Sequence, residues 1–150
     1  MRHKLISTSL LVWLFATAFL LLTEARTRAA SPPNKIQVLL VWATDIQSTN
    51  KPVELDIKKK LKELPLKWAN YFEMNRTVLV VPLNGLAKAD LSEKCAVEIR
   101  NLGQMIQIGL IGQGQPVARH NQTLPKGEIV AFGGNAPGEN GWLVVLKRLE

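Results

Sequence analysis

The sequence predicts an α+β domain in which mainly antiparallel strands curl into a β-sandwich or partly open barrel, with one amphipathic helix packed on it. Three observations carry this. Ile36 to Ala43, IQVLLVWA, is an unbroken β-branched and aliphatic run too short for a typical helix, and it reads as a central strand buried on both faces. Val53, Ile57, Leu61 and Leu64 recur at spacings of four, four and three, which puts them on one side of a helix. Val97 and Ile99 alternate with Glu98 and Arg100, and Ile106, Ile108 and Leu110 alternate with Gln107 and Gly109, the two-residue period of strands that bury one face.

The chain opens on Arg2 and Lys4, followed by an uncharged apolar run from Leu5 to Leu22 and small residues at Ala25, Ala29 and Ala30. That is the layout of a secretory leader: the basic start stays cytoplasmic while the leucine-rich run partitions into hydrocarbon. Small residues at the third and first positions before the cut allow cleavage after Ala25 or after Ala29. Ala29 is favoured, because Ala25 lies only three residues past the apolar run. The alternative is an uncleaved anchor, since a run of about 18 residues lies at the lower edge of what spans a bilayer. The single cysteine, Cys95, is far from the run, so a lipid-modified cysteine anchor is excluded. The expected location is periplasmic or extracellular, with membrane anchoring through residues 5–22 as the other outcome.

The organisation is then a leader over residues 1–29, a spacer over 30–34 and one globular domain over 35–150. Roughly 120 residues suffice for one hydrophobic core and not two. Four basic residues and one acidic residue precede Ala30, so the net charge of +7 falls to +4 on what remains. That is mildly basic and does not suggest specific nucleic-acid binding. With one cysteine no internal disulfide can form, and alternation with Val97 and Ile99 makes Cys95 a buried thiol.

Ser31, Pro32, Pro33 and Asn34 form a spacer that resists regular structure. After the first strand, polar Thr44 to Lys51 leads to Pro52, a good first helical residue behind a cap such as Asn50, and the helix runs to Leu64 before Pro65 stops it. Short extended segments follow: Tyr71–Met74, Thr77–Pro82, Ala87–Leu91, Lys94–Leu102, Gln104–Ile111, Pro116–Leu124, Glu128–Gly133 and Trp142–Leu149. Asn84-Gly85 is a tight-turn dipeptide because both residues tolerate positive φ. The count is seven to nine strands and one substantial helix, with a glycine-rich loop from Gly134 to Gly141 before the last strand.

The segments IQVLLVWATD, DIKKKLKELPLKWANYF and LPKGEIVAFGGNAPGENGWLVVLKR, taken in this order behind a leader, resemble a group of small exported bacterial domains of unassigned function. The resemblance covers most of the chain after the leader. Its motifs are turns and core positions, so it implies fold and export and brings no catalytic residue.

Catalytic chemistry is poorly stocked. A hydrolase needs a nucleophile, a base and an orienting group, yet His120 is the sole histidine after the leader, and Ser31, Ser48 and Ser92 lie outside any G-x-S-x-G setting. Zinc wants several nitrogen or sulfur ligands, which His120 and the distant Cys95 do not supply, so no metal or other cofactor is expected. The glycines of FGGNAPGENGW lead into a strand and not a helix, so they read as a connecting loop and not a phosphate cradle. Asn75 and Asn121 each head a glycosylation sequon.

The reading is a non-enzymatic accessory or protein-interaction module of the cell envelope. Its candidate interaction surface is Lys58, Lys59, Lys60 and Lys62 on the helix with Asn135, Glu139 and Asn140 in the glycine-rich loop. Electrostatic binding of an anionic polymer or lipid surface through the lysines is the alternative, and a small hydrolase using His120 is the third class. Trp68, Tyr71 and Phe72 read as core and not as a stacking platform for bases.

Overall fold

The computed structural model describes residues 32–150; the leader expected over residues 1–29, with Ala25 and Ala29, lies outside the described residues. The elements are β1 (Asn34–Thr44), α1 (Leu55–Glu63), β2 (Asn70–Val81), β3 (Leu86–Ser92), β4 (Cys95–Asn101), β5 (Ile106–Gly112), β6 (Gln115–Gln122), β7 (Ile129–Asn135) and β8 (Gly141–Arg148). They form two antiparallel four-stranded sheets, in the orders β2-β1-β8-β7 and β3-β4-β5-β6. Each hydrogen-bonded pair joins neighbours in sequence except one: β1 pairs with β8, from Ile36 opposite Arg148 to Ala43 opposite Gly141. The chain therefore meanders around the molecule, crossing to the second sheet after β2 and back after β6.

Two hydrophobic clusters explain the burial of β1 on both faces. Ile36, Val38, Val144 and Leu146 point from the first sheet toward Val97, Ile99, Ile108 and Leu110 of the second. On the reverse side of the first sheet, Leu39, Val41, Leu143 and Val145 meet Ile57 and Leu61 of α1 together with Val53, Trp68 and Tyr71. Ile57 and Leu61 are wholly buried, and each such side chain stabilises the fold by about 1.5–3 kcal/mol relative to exposure. A strand with apolar residues at odd and even positions is what such a layered arrangement requires.

Three local expectations are corrected. Pro52 does not open the helix: Lys51–Val53 runs extended beside β2, with Glu73 N–H donating to the Lys51 carbonyl at 2.8 Å and Val53 N–H to the Tyr71 carbonyl at 3.2 Å. Proline suits this segment because its missing donor leaves nothing unpaired, and Val53 is buried from there instead of from the helix. The helix starts at Leu55 and ends before Leu64, whose ψ of 152° is extended because Pro65 disfavours helical geometry in the residue before it. Leu64 consequently drops off the apolar stripe and stands 42% exposed.

The two segments around Asn75-Arg76 are one strand. A bulge between Leu40 and Val41 of β1 sets Asn75 and Glu73 opposite consecutive β1 residues, so Met74 is the extra residue and is pushed outward. Arg76 then holds Glu73 and Glu54, and Lys51 reaches Glu73 at 2.9 Å. The Arg76 guanidinium, followed by the Lys51 ammonium, keeps the Glu73 carboxyl below its ordinary value despite its burial. The spacer is also one residue shorter than expected, because Asn34 already pairs with Val81.

Candidate functional site

The helix lysines do not form one stripe. At about 100° per residue, Lys59 stands on the side of α1 opposite the buried Ile57 and Leu61, Lys58 and Lys62 share one flank a turn apart, and Lys60 lies on the other. Lys60 donates to Glu63 at 3.2 Å, and that hydrogen bond raises its pKa. Lys58, Lys59 and Lys62 have no carboxylate within ion-pair distance among the described residues. The neighbouring cations are occupied: Lys147 holds Asp56, and Lys67 lies 5.5 Å above the Trp68 ring.

Asn135, Glu139 and Asn140 belong to a tightly tied turn between β7 and β8. Ala136 N–H donates to the Asn140 carbonyl at 2.7 Å, and Asn140 Nδ2 donates to the Pro137 carbonyl at 2.9 Å. Trp68 Nε1 donates to the Glu139 carbonyl at 2.7 Å. The Trp68 ring lies directly on Gly141, where a Cβ would fall inside the ring's contact radius. The amide of Asn140 and the carbonyl of Glu139 are therefore spent within the protein, while the side chains of Asn135 and Glu139 face outward. The lysines lie on α1 and these residues at the end of the β7–β8 hairpin, in separate elements.

A third feature lies on the outer face of the second sheet. Gly109 of β5 stands between Glu98 of β4 and Arg119 of β6 in the ladder, and Gln107 between Arg100 and Asn121. Because Gly109 has no side chain, the sheet surface dips there into a cleft of about 90 Å³ lined by Leu86, Glu98, Arg100, Gln107, Gly109 and Arg119. Arg100 and Arg119 have no ion-pair partner among the described residues. Gln107 Nε2 donates to Asn121 Oδ1 at 3.0 Å, which fixes one wall. The cleft offers two guanidiniums, a carboxylate and an amide on a rigid strand surface, a set suited to hydrogen-bonded recognition. Its sequence signal was the glycine inside an alternating strand, a mark of close approach or a surface gap.

The remaining sequence candidates fall elsewhere. His120 shares the inner register of Ile108 at the rim of the second sheet, where its exposed ring stacks on Phe132 of β7 at a centroid distance of 5.0 Å. Cys95 is half-buried instead of fully buried, since it opens β4 at the sheet end, and desolvation still pushes its thiol pKa up. Asn75 donates its side-chain amide to the Leu91 carbonyl at 2.8 Å, stitching β2 to β3, whereas Asn121 is exposed on the outer face. Among the described residues, no three His, Cys, Asp or Glu side chains come together as a metal site needs.

No family model, curated protein or solved structure matches this chain.

Proposed function

We propose that this is an exported, non-enzymatic recognition module of the cell envelope, built as an open β-sandwich that presents the outer face of its second sheet to an envelope protein. One observation carries the reading. The first sheet is covered on both sides, by the second sheet and by α1, while the second sheet is covered on its inner side by Ile36, Val38, Val144 and Leu146 of the first sheet. The opposite side of the second sheet carries the cleft at Gly109 with the free Arg100 and Arg119. The space between the sheets is filled by side chains, so recognition falls to the surface.

The test places a photo-crosslinking residue at Gln107 in one full-length chain and at Lys59 in another, expressed in cells that export the protein. Discrete protein adducts from Gln107, lost on Arg119→Glu, are expected. Adducts from Lys59 alone would move the surface to the helix.

That second reading has its own support in the unpaired Lys58, Lys59 and Lys62. Binding to an anionic polymer or lipid through them should weaken about 20–40-fold as salt rises from about 50 to 200 mM, and should fail in the triple Lys→Gln variant. Salt-insensitive binding would sink it.

A further inference from the structure

The end of the domain at which the chain enters is also its apolar end. Asn34 opens β1 opposite Val81, the last residue of β2, so the chain enters beside the turn Pro82–Gly85. That turn is hydrogen-bonded to the turn between β4 and β5: Asn84 N–H donates to the Asn101 carbonyl at 2.8 Å, and Asn101 N–H to the Gly85 carbonyl at 3.0 Å. The two joined turns expose Leu83, Leu86, Leu102 and Met105, each 41–51% accessible. A Cβ on Gly103 would touch Leu83 at 3.7 Å, so the Leu83 side chain lies against the β4–β5 turn that carries Leu102 and Met105. Single exposed leucines need no explanation, but four on two linked turns do.

Two further facts indicate what covers the patch. Eleven residues, Thr23–Pro33, separate the uncharged run Leu5–Leu22 from β1; fully extended they reach at most about 40 Å. The flanks are basic: Arg100 pairs with Leu86 in the ladder, and Lys126 lies in the β6–β7 loop at the same end, where Arg148 donates to the Leu124 carbonyl at 3.1 Å. Neither Arg100 nor Lys126 has an ion-pair partner among the described residues. Leucine and methionine flanked by two unpaired cations suit the boundary between headgroups and acyl chains of an anionic bilayer.

We propose that the apolar run is retained as an anchor, the alternative to cleavage after Ala29, and that Leu83, Leu86, Leu102 and Met105 seat this end of the domain on the lipid surface. The proposal rests on export, and it shares Leu86 and Arg100 with the cleft at Gly109. Seated this way, the domain presents the Glu93-Lys94 turn and the β7–β8 turn away from the bilayer, since both lie at the opposite ends of their strands.

The test uses the full-length chain in vesicles of phosphatidylethanolamine and phosphatidylglycerol with brominated acyl chains. A fluorophore is attached through Met105→Cys in one sample and Glu93→Cys in another, each in a Cys95→Ala background. Insertion to about 5–10 Å predicts quenching at position 105 at least about threefold stronger than at 93. The pair Leu83→Ser and Leu102→Ser, both at exposed positions, should erase the difference while the chain still floats with the vesicles. Equal, weak quenching at both sites on a vesicle-bound chain overturns the seating. An intact mass of the exported protein that starts at Arg26 or Ala30 overturns retention of the anchor. Because Leu86 and Arg100 also line the cleft at Gly109, Gln107 crosslinking is repeated on the Leu83→Ser, Leu102→Ser chain: adducts that persist there support recognition without the seat, and their loss with quenching unchanged overturns recognition alone.

Discussion

Replacing Gly141 by alanine tests the seat of Trp68 through the sign of its effect. Gly141 is buried at the start of β8 without a positive φ, so its backbone accepts any residue. On backbone entropy alone, alanine would stabilise the protein by about 0.4–1 kcal/mol. The structure demands the reverse, because the new methyl would overlap the six-membered ring of Trp68, which is 8% exposed and anchored through its indole N–H. Overpacking of this kind costs about 1–3 kcal/mol, and displacing the ring sacrifices a hydrogen bond of about 1 kcal/mol. The net expectation is a loss of about 1–3 kcal/mol, read from urea unfolding as a lower midpoint with an unchanged slope. In a Trp68→Leu background the same substitution should cost far less, since the neighbour it strikes is gone and the two sites are coupled. A neutral or stabilising Gly141→Ala in the wild-type background would refute the contact.

Other consequences follow from individual side chains. Gln37 is 6% exposed with Nε2 unpartnered, so Gln37→Leu should raise unfolding stability by about 1 kcal/mol, the lower part of the cost of an unsatisfied buried donor. Glu73 and Asp56 both have folded pKa values lowered, chiefly by hydrogen bonds from Arg76 and Lys147 respectively. Their stabilisation is present above the unfolded carboxylate value near 4 and is lost as pH falls through the lowered folded values, so acid titration of Glu73→Gln should show a shallower decline than wild type. Cys95, with its thiol pKa raised by burial, should react with a thiol reagent at neutral pH at least about tenfold more slowly in the folded chain than in urea.

The elements with strong periodicity were legible in the residues. The β1 run needed both faces covered, and the second sheet and α1 supply the two covers. The alternation in β4 and β5 placed Val97, Ile99, Ile106 and Ile108 inside. What escaped depended on partners distant in sequence. Pro52 looked like a helix start until β2 supplied its edge, and Asn75-Arg76 fell between two extended segments until the bulge at Met74 and the pull of Glu54 and Glu73 carried the strand through. The cleft at Gly109 was hidden for the same reason. A glycine in a strand says that something is missing, but its walls come from residues on three other strands, and only the ladder registers bring them together.

The pairing of the first strand with the last has a consequence for how the protein is made. Most of β1 waits for Gly141–Arg148, over a hundred residues later, so the central ladder of the first sheet cannot close on a partly emerged chain. Such remote pairing slows folding, which leaves the first sheet open until Gly141–Arg148 has been made. Synthesis order thus sets when the sheet can close, since its central strand lacks one neighbour until β8 exists.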